Sequence, residues 1–318
     1  MTTFIIRRLL MSIPVFLGIT MLVFLFVALA PGDASSSMMR PEQMGDPTIR
    51  QAIIEKYGLD QPIPVRYVRW LSGVLQGEFG YTLIGGQPIV SEIARSFMAS
   101  FLLMGTALVG GILVGVPLGV LSAVRQYSKI DFTLTGITFL GVSMPSFLLG
   151  IGGLWLIGLQ LGLVPIAGMV TPGQPFDLID LLRHLALPSA ILGFGFAAIF
   201  MRYTRASMLE VINADYVTTA RAKGLPPRTV IGRHAFRNAM IPVITLIGLY
   251  IPEMIGGAVV TEQVFSWPGL GQLAVDGVIS RDYFLIMGIT MVLSVFVLFA
   301  NLVTDVLYAF ADPRIRLN

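Results

Sequence analysis

The chain has 318 residues, 55% hydrophobic and only 12% charged, with a formal net charge of +3 and a mean hydropathy of +0.81. A soluble domain carries roughly 25% charged residues, so an ordinary soluble globule is excluded. The sequence contains no cysteine, which excludes disulfides, thiol catalysis and thiolate metal sites.

In chain order, six long stretches lack any side chain charged at neutral pH. They are Leu9–Ala30, Ser96–Val124, Phe132–Phe176, Leu185–Met201, Asn238–Thr261 (broken only by Glu253) and Tyr283–Thr304. A hydrocarbon core ~30 Å thick takes about 20 apolar residues to cross as a helix. A charge at its centre costs about 2.5–3.5 kcal/mol on insertion scales. The expectation is an all-α integral membrane protein with six spans, near residues 9–30, 97–124, 132–162, 185–205, 239–261 and 284–306. Arg7-Arg8 and Ala28-Leu29-Ala30 give the first stretch some look of a cleaved signal peptide. Its apolar run of about 22 residues exceeds the 7–15 of a signal core, and Pro31 disfavours cleavage, so a retained anchor is expected.

Between the first and second spans, Pro31–Arg95 is the one candidate for a separate folded piece, read as a small extracytoplasmic helical segment. Gln51–Tyr57 and Val65–Leu75 place Ile53, Ile54 and Tyr57, then Tyr67, Trp70, Leu71 and Val74, at helical spacing. A cap on the membrane surface and a docking face for an outside protein are compatible readings. Orientation follows Lys and Arg in the short loops. With the N-terminus inside, Arg125, Lys129, Arg202, Arg205, Arg221, Lys223, Arg228, Arg233 and Arg237 are cytoplasmic, whereas the short outer loops hold only Arg183 and Arg281. Both termini are expected in the cytoplasm.

The chain shows no engine of its own. A P-loop needs Gly-x4-Gly-Lys-[Ser/Thr], and Lys223, among only three lysines, precedes Gly224. His184 and His234 lack the companions of a metal site. No catalytic, cofactor or metal residue is expected, and no nucleic acid.

The most informative local stretch lies between the fourth and fifth spans. Asn213 suits an N-cap and Asp215 the first turn of a short helix. Arg221 and Lys223 lie at its C-terminal end, Gly224 fits the position after the C-cap, and Pro226-Pro227 stop the helix, with Pro227 opening a second one through Val230, Ile231 and Ala235. A surface helix lying on the membrane and a rigid docking knob both remain open.

Here the chain resembles the inner-membrane permease subunits of dipeptide/oligopeptide-type ABC importers. The loop DYVTTARAKGLPPRTVIGRHAFRNAMIPVIT is similar to that family's EAA loop, with Thr218-Thr219-Ala220 where Glu-Ala-Ala stands in the general pattern. The resemblance extends to RRLLMSIPVFLGITMLVFLFVALAPGD, YGLDQPIPVRYVRWLSGVLQGEFGYTL, TEQVFSWPGLGQL and DPRIR, in order. It implies a type I ABC importer permease fold, with residues 1–95 as first span and outer segment, 96–310 as the transmembrane domain, and 311–318 as a cytoplasmic tail. Within that domain a coupling loop at about 206–237 would dock on an ATPase through Asp215, Thr218, Thr219, Ala220, Lys223 and Gly224. The implied partners are a second homologous permease, two ATPase subunits that carry ATP and Mg, an extracytoplasmic solute-binding protein, and membrane lipid. The implied location is the bacterial or archaeal cytoplasmic membrane. The implied cargo is di- or oligopeptides, with oligosaccharides, glutathione or nickel chelates as alternatives. An ion-coupled secondary transporter is the rival class, and it would show several paired intramembrane charges.

Glu253 is the one acid inside the six apolar stretches, and it could face a pathway or sit hydrogen-bonded or near the outer water boundary. Phe265, Trp267, Pro268 and Gly269 read as an outer turn, shaping a gate rim or meeting the binding protein, with the aromatics at the membrane interface. Pro117 and Pro145 are expected to kink their spans, and Asp305 to pair with Arg314 or Arg316.

Overall fold

A computed structural model describes residues 2–29, 39, 45–256 and 258–311. Among them every regular element is helical. The chain opens with α1 (Thr2–Leu29), α2 (Pro47–Tyr57), α3 (Ile63–Leu75) and α4 (Ile89–Val124). Next come α5 (Lys129–Ser143), α6 (Ser146–Gly153) with a π-helical continuation Leu154–Gln160, α7 (Leu178–Ile212) and α8 (Asp215–Ala222). α9 (Pro227–Thr229) runs through a π-helical segment Val230–Phe236 into α10 (Arg237–Tyr250). α11 (Glu253–Gly256), α12 (Val259–Phe265), α13 (Leu270–Ser280) and α14 (Tyr283–Ala311) follow.

Among the described residues four helices are long and apolar enough to cross a membrane: Phe4–Leu29, Ile89–Val124, Leu178–Ile212 and Tyr283–Val306. Two bent pairs raise the number to six if each pair is one span. One joins Lys129–Ser143 to Ser146–Gln160 at 98°; the other joins Pro227–Tyr250 to Glu253–Val264 at 51°. The charge-free run 132–176 is therefore no straight rod. Met144 takes an extended conformation (φ −85°, ψ 128°) because Pro145 crowds the helical region of the residue before it, and α5 ends there. Pro117, in contrast, lies inside the uninterrupted α4.

Helices continue past the charges that bound the apolar stretches. α4 carries Glu92 and Arg95 in its first turns, and α7 carries Asp180, Arg183 and His184. At about 1.5 Å per residue a 36-residue helix is about 54 Å long, far more than a bilayer core needs.

Compact packing divides the chain into Met1–Met98 with Gly269–Leu302, and Ala99–Pro268 with Val303–Asn318. In the first unit α1 docks on α3, where Phe24 meets Tyr67 edge-on at 5.6 Å and Trp70 at 5.8 Å, and Thr20 Oγ1 shares a 2.9 Å hydrogen bond with Tyr67 OH. Asp282 accepts hydrogen bonds from the N–H groups of Leu83 (2.7 Å) and Leu285 (3.1 Å), tying the start of α14 to the loop before α4.

The second unit is held by close approach of α4 and α7. Gly111, Gly115 and Gly119 recur every fourth residue on one face of α4, and a Cβ on Gly115 would lie 2.5 Å from the Ala197 carbonyl oxygen. Small residues let membrane helices approach this far and gain dispersion contacts that lipid cannot supply. Leu103, Phe196, Phe200, Val243 and Trp267 fill the surrounding core. Tyr250 stacks edge-on against Phe196 at 5.3 Å, and Thr304 Oγ1 donates to the Gly248 carbonyl at 2.7 Å.

Candidate functional site

The segment joining α7 to α10 forms a short projecting corner. Asp215 opens α8 where the helix dipole favours an anion, and Arg221 lies in its last turn. Lys223 is the C-cap; Gly224, at φ +74°, takes the left-handed conformation that only glycine adopts cheaply. Its N–H donates to the Arg221 carbonyl at 2.9 Å. Pro227 then occupies the first turn of α9, where its fixed φ suits a helix start. Asn213 is not the N-cap expected from the sequence. It caps the end of α7, donating from Nδ2 to the Leu209 carbonyl, and Ala214 precedes α8 without a side-chain cap.

α8 stands on a small core of its own. Val217 and Ala220 are buried against Ala123 of α4, Met208 of α7, Val230 and Ala235 of the π-helical segment, and Ala239 of α10. Ala220 therefore belongs to the foundation of α8 and not to its outer face. Thr218, Thr219, Arg221, Lys223, Gly224 and Leu225 are exposed, as are Asp215 and Tyr216. The Asn238 Nδ2 donates to Tyr216 OH at 2.9 Å, a further tie from α8 to α10. Four helical segments thus hold an eight-residue helix that could not persist alone in water. The result is a fixed knob with a mixed polar and basic outer surface.

One turn deeper lies a partly buried ion pair; of its two members the sequence places Arg205 among the inner-loop charges and gives Asp131 no role. Asp131, 3% exposed in the first turn of α5, accepts from Arg205 Nε at 2.7 Å and Nη2 at 2.8 Å. Ser122 Oγ of α4 and the Tyr127 N–H also donate to this carboxylate. A lone Asp three residues after a capping Ser128, among Arg and Lys, was the available signal.

Glu253 lies at the break between α10 and α11 and is exposed into an open pocket of about 320 Å³. Gly141 and Met144 at the end of α5, Ser146 of α6, Phe196 of α7 and Tyr250 of α10 share its wall. Both helix breaks of this unit therefore meet at one cavity.

The expected interfacial aromatics of the TEQVFSWPGLGQL stretch are not at a surface. Trp267 is fully buried and its Nε1 donates to the Ala99 carbonyl at 2.9 Å, and Phe265 is 3% exposed. An indole desolvated this completely needs that acceptor. Gly269 is buried as well, which leaves Pro268 as the exposed member of the four. Glu262, one residue beyond the charge-free stretch, is a second acid of this region: it is fully buried and accepts from Ser100 Oγ at 2.5 Å. The expected partners of Asp305, Arg314 and Arg316, lie outside the described residues. No group of three or more His, Asp or Glu that could hold a metal occurs among the described residues.

The family model described as binding-protein-dependent transport system inner membrane component matches residues 115–317. That described as binding-prot-dependent transport system membrane comp, N-term, matches residues 1–99. The chain is 44% identical over 318 residues to the oligopeptide transport system permease protein AppB of Bacillus subtilis (strain 168), covering 99% of this chain and 100% of that protein. It is 37% identical over 337 residues to the dipeptide transport system permease protein DppB of Escherichia coli (strain K12), with 99% of each chain covered. Identity to the glutathione transport system permease protein GsiC of Shigella flexneri serotype 5b (strain 8401) is 38% over 316 residues, again with 99% of each covered. The inward-facing MetNI methionine ABC transporter shares the fold, with a TM-score of 0.58 at 17% identity over 71% of this chain and 98% of that one.

Proposed function

The chain belongs to the family of binding-protein-dependent transport system inner membrane components, and from that premise we propose that it carries peptides inward while its α8 knob receives the stroke of a separate ATPase. It is a permease subunit of an ABC importer, a multi-pass protein of the cytoplasmic membrane that does not itself hydrolyse ATP. Three relatives named for oligopeptides, dipeptides and glutathione have peptide chemistry in common, which favours di- and oligopeptides as cargo. The full assembly we propose adds a second homologous permease, two ATPase subunits with ATP and Mg, and an extracytoplasmic solute-binding protein. Both termini, α8 and the Gly224-Leu225-Pro226-Pro227 corner would then face the cytoplasm.

One observation carries this reading. α8 combines a buried inner face, Val217 and Ala220, with an exposed outer face, Thr218, Thr219, Arg221 and Lys223, on a base drawn from α4, α7 and α10. Such a helix can pass a push to three long elements at once. ATP and the loaded binding protein must each bind one permease state better than the other, or no equilibrium shifts. Glu253 lines the pocket where both broken helices meet, which supports a place on the solute pathway.

The chain is free of cysteine, so Ala222→Cys introduces a unique thiol on an exposed position of α8. In the assembled transporter this thiol should crosslink to an ATPase subunit, and in cells it should resist membrane-impermeant maleimides added outside. Absence of any ATPase adduct, or labelling from outside, would reject the docking role.

A further inference from the structure

We propose that Asp131 and Arg205 are positioning residues that carry the displacement of α8 to α5, so that hydrolysis is converted to solute movement. The proposal rests on α8 being the docking helix. Its geometry begins at the core beneath α8, where Met208 of α7 and Ala123 of α4 share one buried cluster with Val217 and Ala220. One turn back from Met208 is Arg205, and adjacent to Ala123 is Ser122. Both converge on the buried Asp131 carboxylate of α5, Arg205 by its two-pronged contact and Ser122 through its hydroxyl. The same carboxylate takes the N–H of Tyr127, a residue held at φ +61° in the turn between α4 and α5.

Three helices and a turn therefore meet at one anion. A guanidinium fork fixes both distance and orientation, which a point charge on a flexible stem does not. α5 leads from this anchor to its end at Met144, which lines the pocket holding Glu253. Moving α8 thus moves α7 and α4 at its base, and the clamp obliges α5 to follow. Without the clamp, α8 could still respond to nucleotide while α5 and the pocket wall lag behind.

Replacing a buried ion pair by apolar groups of similar size often leaves folding intact, whereas removing one partner strands a charge. The decisive variant is accordingly the double change Asp131→Leu with Arg205→Met, beside the single changes Asp131→Asn and Arg205→Lys. Each is assembled with its partner subunits in proteoliposomes, and ATP hydrolysis and peptide uptake are measured together with the Ala222→Cys crosslink. The expected result is retained hydrolysis and crosslinking, with peptide moved per ATP lowered at least tenfold in the double variant and in Asp131→Asn. Arg205→Lys, which keeps the charge and loses the fork, should fall between these and the parent. An unchanged ratio of uptake to hydrolysis in the double variant, with the crosslink intact, overturns the clamp while leaving the docking role standing. Loss of the crosslink in the parent rejects the docking reading first. Failure of every variant to assemble overturns the proposal in favour of a folding role.

Discussion

The contact between α4 and α7 offers the sharpest test of how this fold is held. An ideal Cβ on Gly115 lies 2.5 Å from the Ala197 oxygen, 2.9 Å from Phe200 Cβ and 3.0 Å from Ala197 Cα. Comfortable separations between carbon atoms are about 3.5–4.0 Å, so Gly115→Ala forces the two helices about 1 Å apart. Two of the three obstacles are backbone atoms, which no rotamer change can move. A gap of that size forfeits a quarter to a half of each dispersion contact along the seam, and overpacking of this kind costs about 1–3 kcal/mol. Against it stands a helix preference for Ala over Gly of about 0.5–1 kcal/mol. The net loss expected lies between about 0 and 2.5 kcal/mol, centred near 1 kcal/mol.

Gly110→Ala is the matched control. It sits one residue away from Gly111 on the same helix, and a Cβ there has nothing within 4 Å. It should collect the helix preference and be neutral or slightly stabilising. Unfolding of the purified chain by titrating SDS into mild detergent gives both values on one scale. If Gly115→Ala unfolds no earlier than Gly110→Ala, close backbone approach is not what joins α4 to α7, and the reasoning fails.

Two further outcomes are expected. Burial pushes the Asp282 carboxyl above its ordinary value, partly opposed by the hydrogen bonds from Leu83 and Leu285. A raised native pKa means the folded state holds its proton more tightly than the unfolded one. Stability from this group is thus full below the ordinary carboxylate range and is lost as pH rises through the raised value; Asp282→Asn should flatten that acid-side decline in denaturation curves at stepped pH. Glu253→Gln should slow peptide uptake at saturating binding protein with hydrolysis retained, and uptake equal to the parent's would remove Glu253 from the pathway.

Much of this was legible in the residues. The absence of charge located the apolar helices because the cost of a charge in lipid is large and local. Gly224-Leu225-Pro226-Pro227 located the end of α8 because glycine and proline act through the backbone alone. What escaped depends on contacts distant in sequence. Whether Ala220 faces outward is decided by Ala123 and Met208, which no pattern within the loop announces. Asp131 and Arg205 are 74 residues apart, and each separately looks like an ordinary inner-loop charge. Trp267 suits an interface by type, and its burial rests on a distant core and on the carbonyl of Ala99, 168 residues earlier, which accepts its indole N–H. The helices α4 and α7 also run on past the charges that bound their expected spans. The membrane excludes charge from its core, but a helix continues into water wherever its backbone bonds remain satisfied.

These observations also locate where the second unit can change shape. α4 and α7 approach so closely along the seam of Gly111, Gly115 and Gly119 that a Cβ at any of the three would lie 2.4–2.6 Å from an atom of α7, so this seam is the tightly packed part of the unit. Bistable motion concentrates where packed elements are interrupted. α5 is interrupted at Met144-Pro145 and the helix pair α10–α11 at Ile251-Pro252, where prolines remove a helical N–H. Both interruptions border the pocket of Glu253. On the proposed docking role of α8, a push reaching the α4–α7 pair has two nearby joints at which to be absorbed, and both border the same cavity.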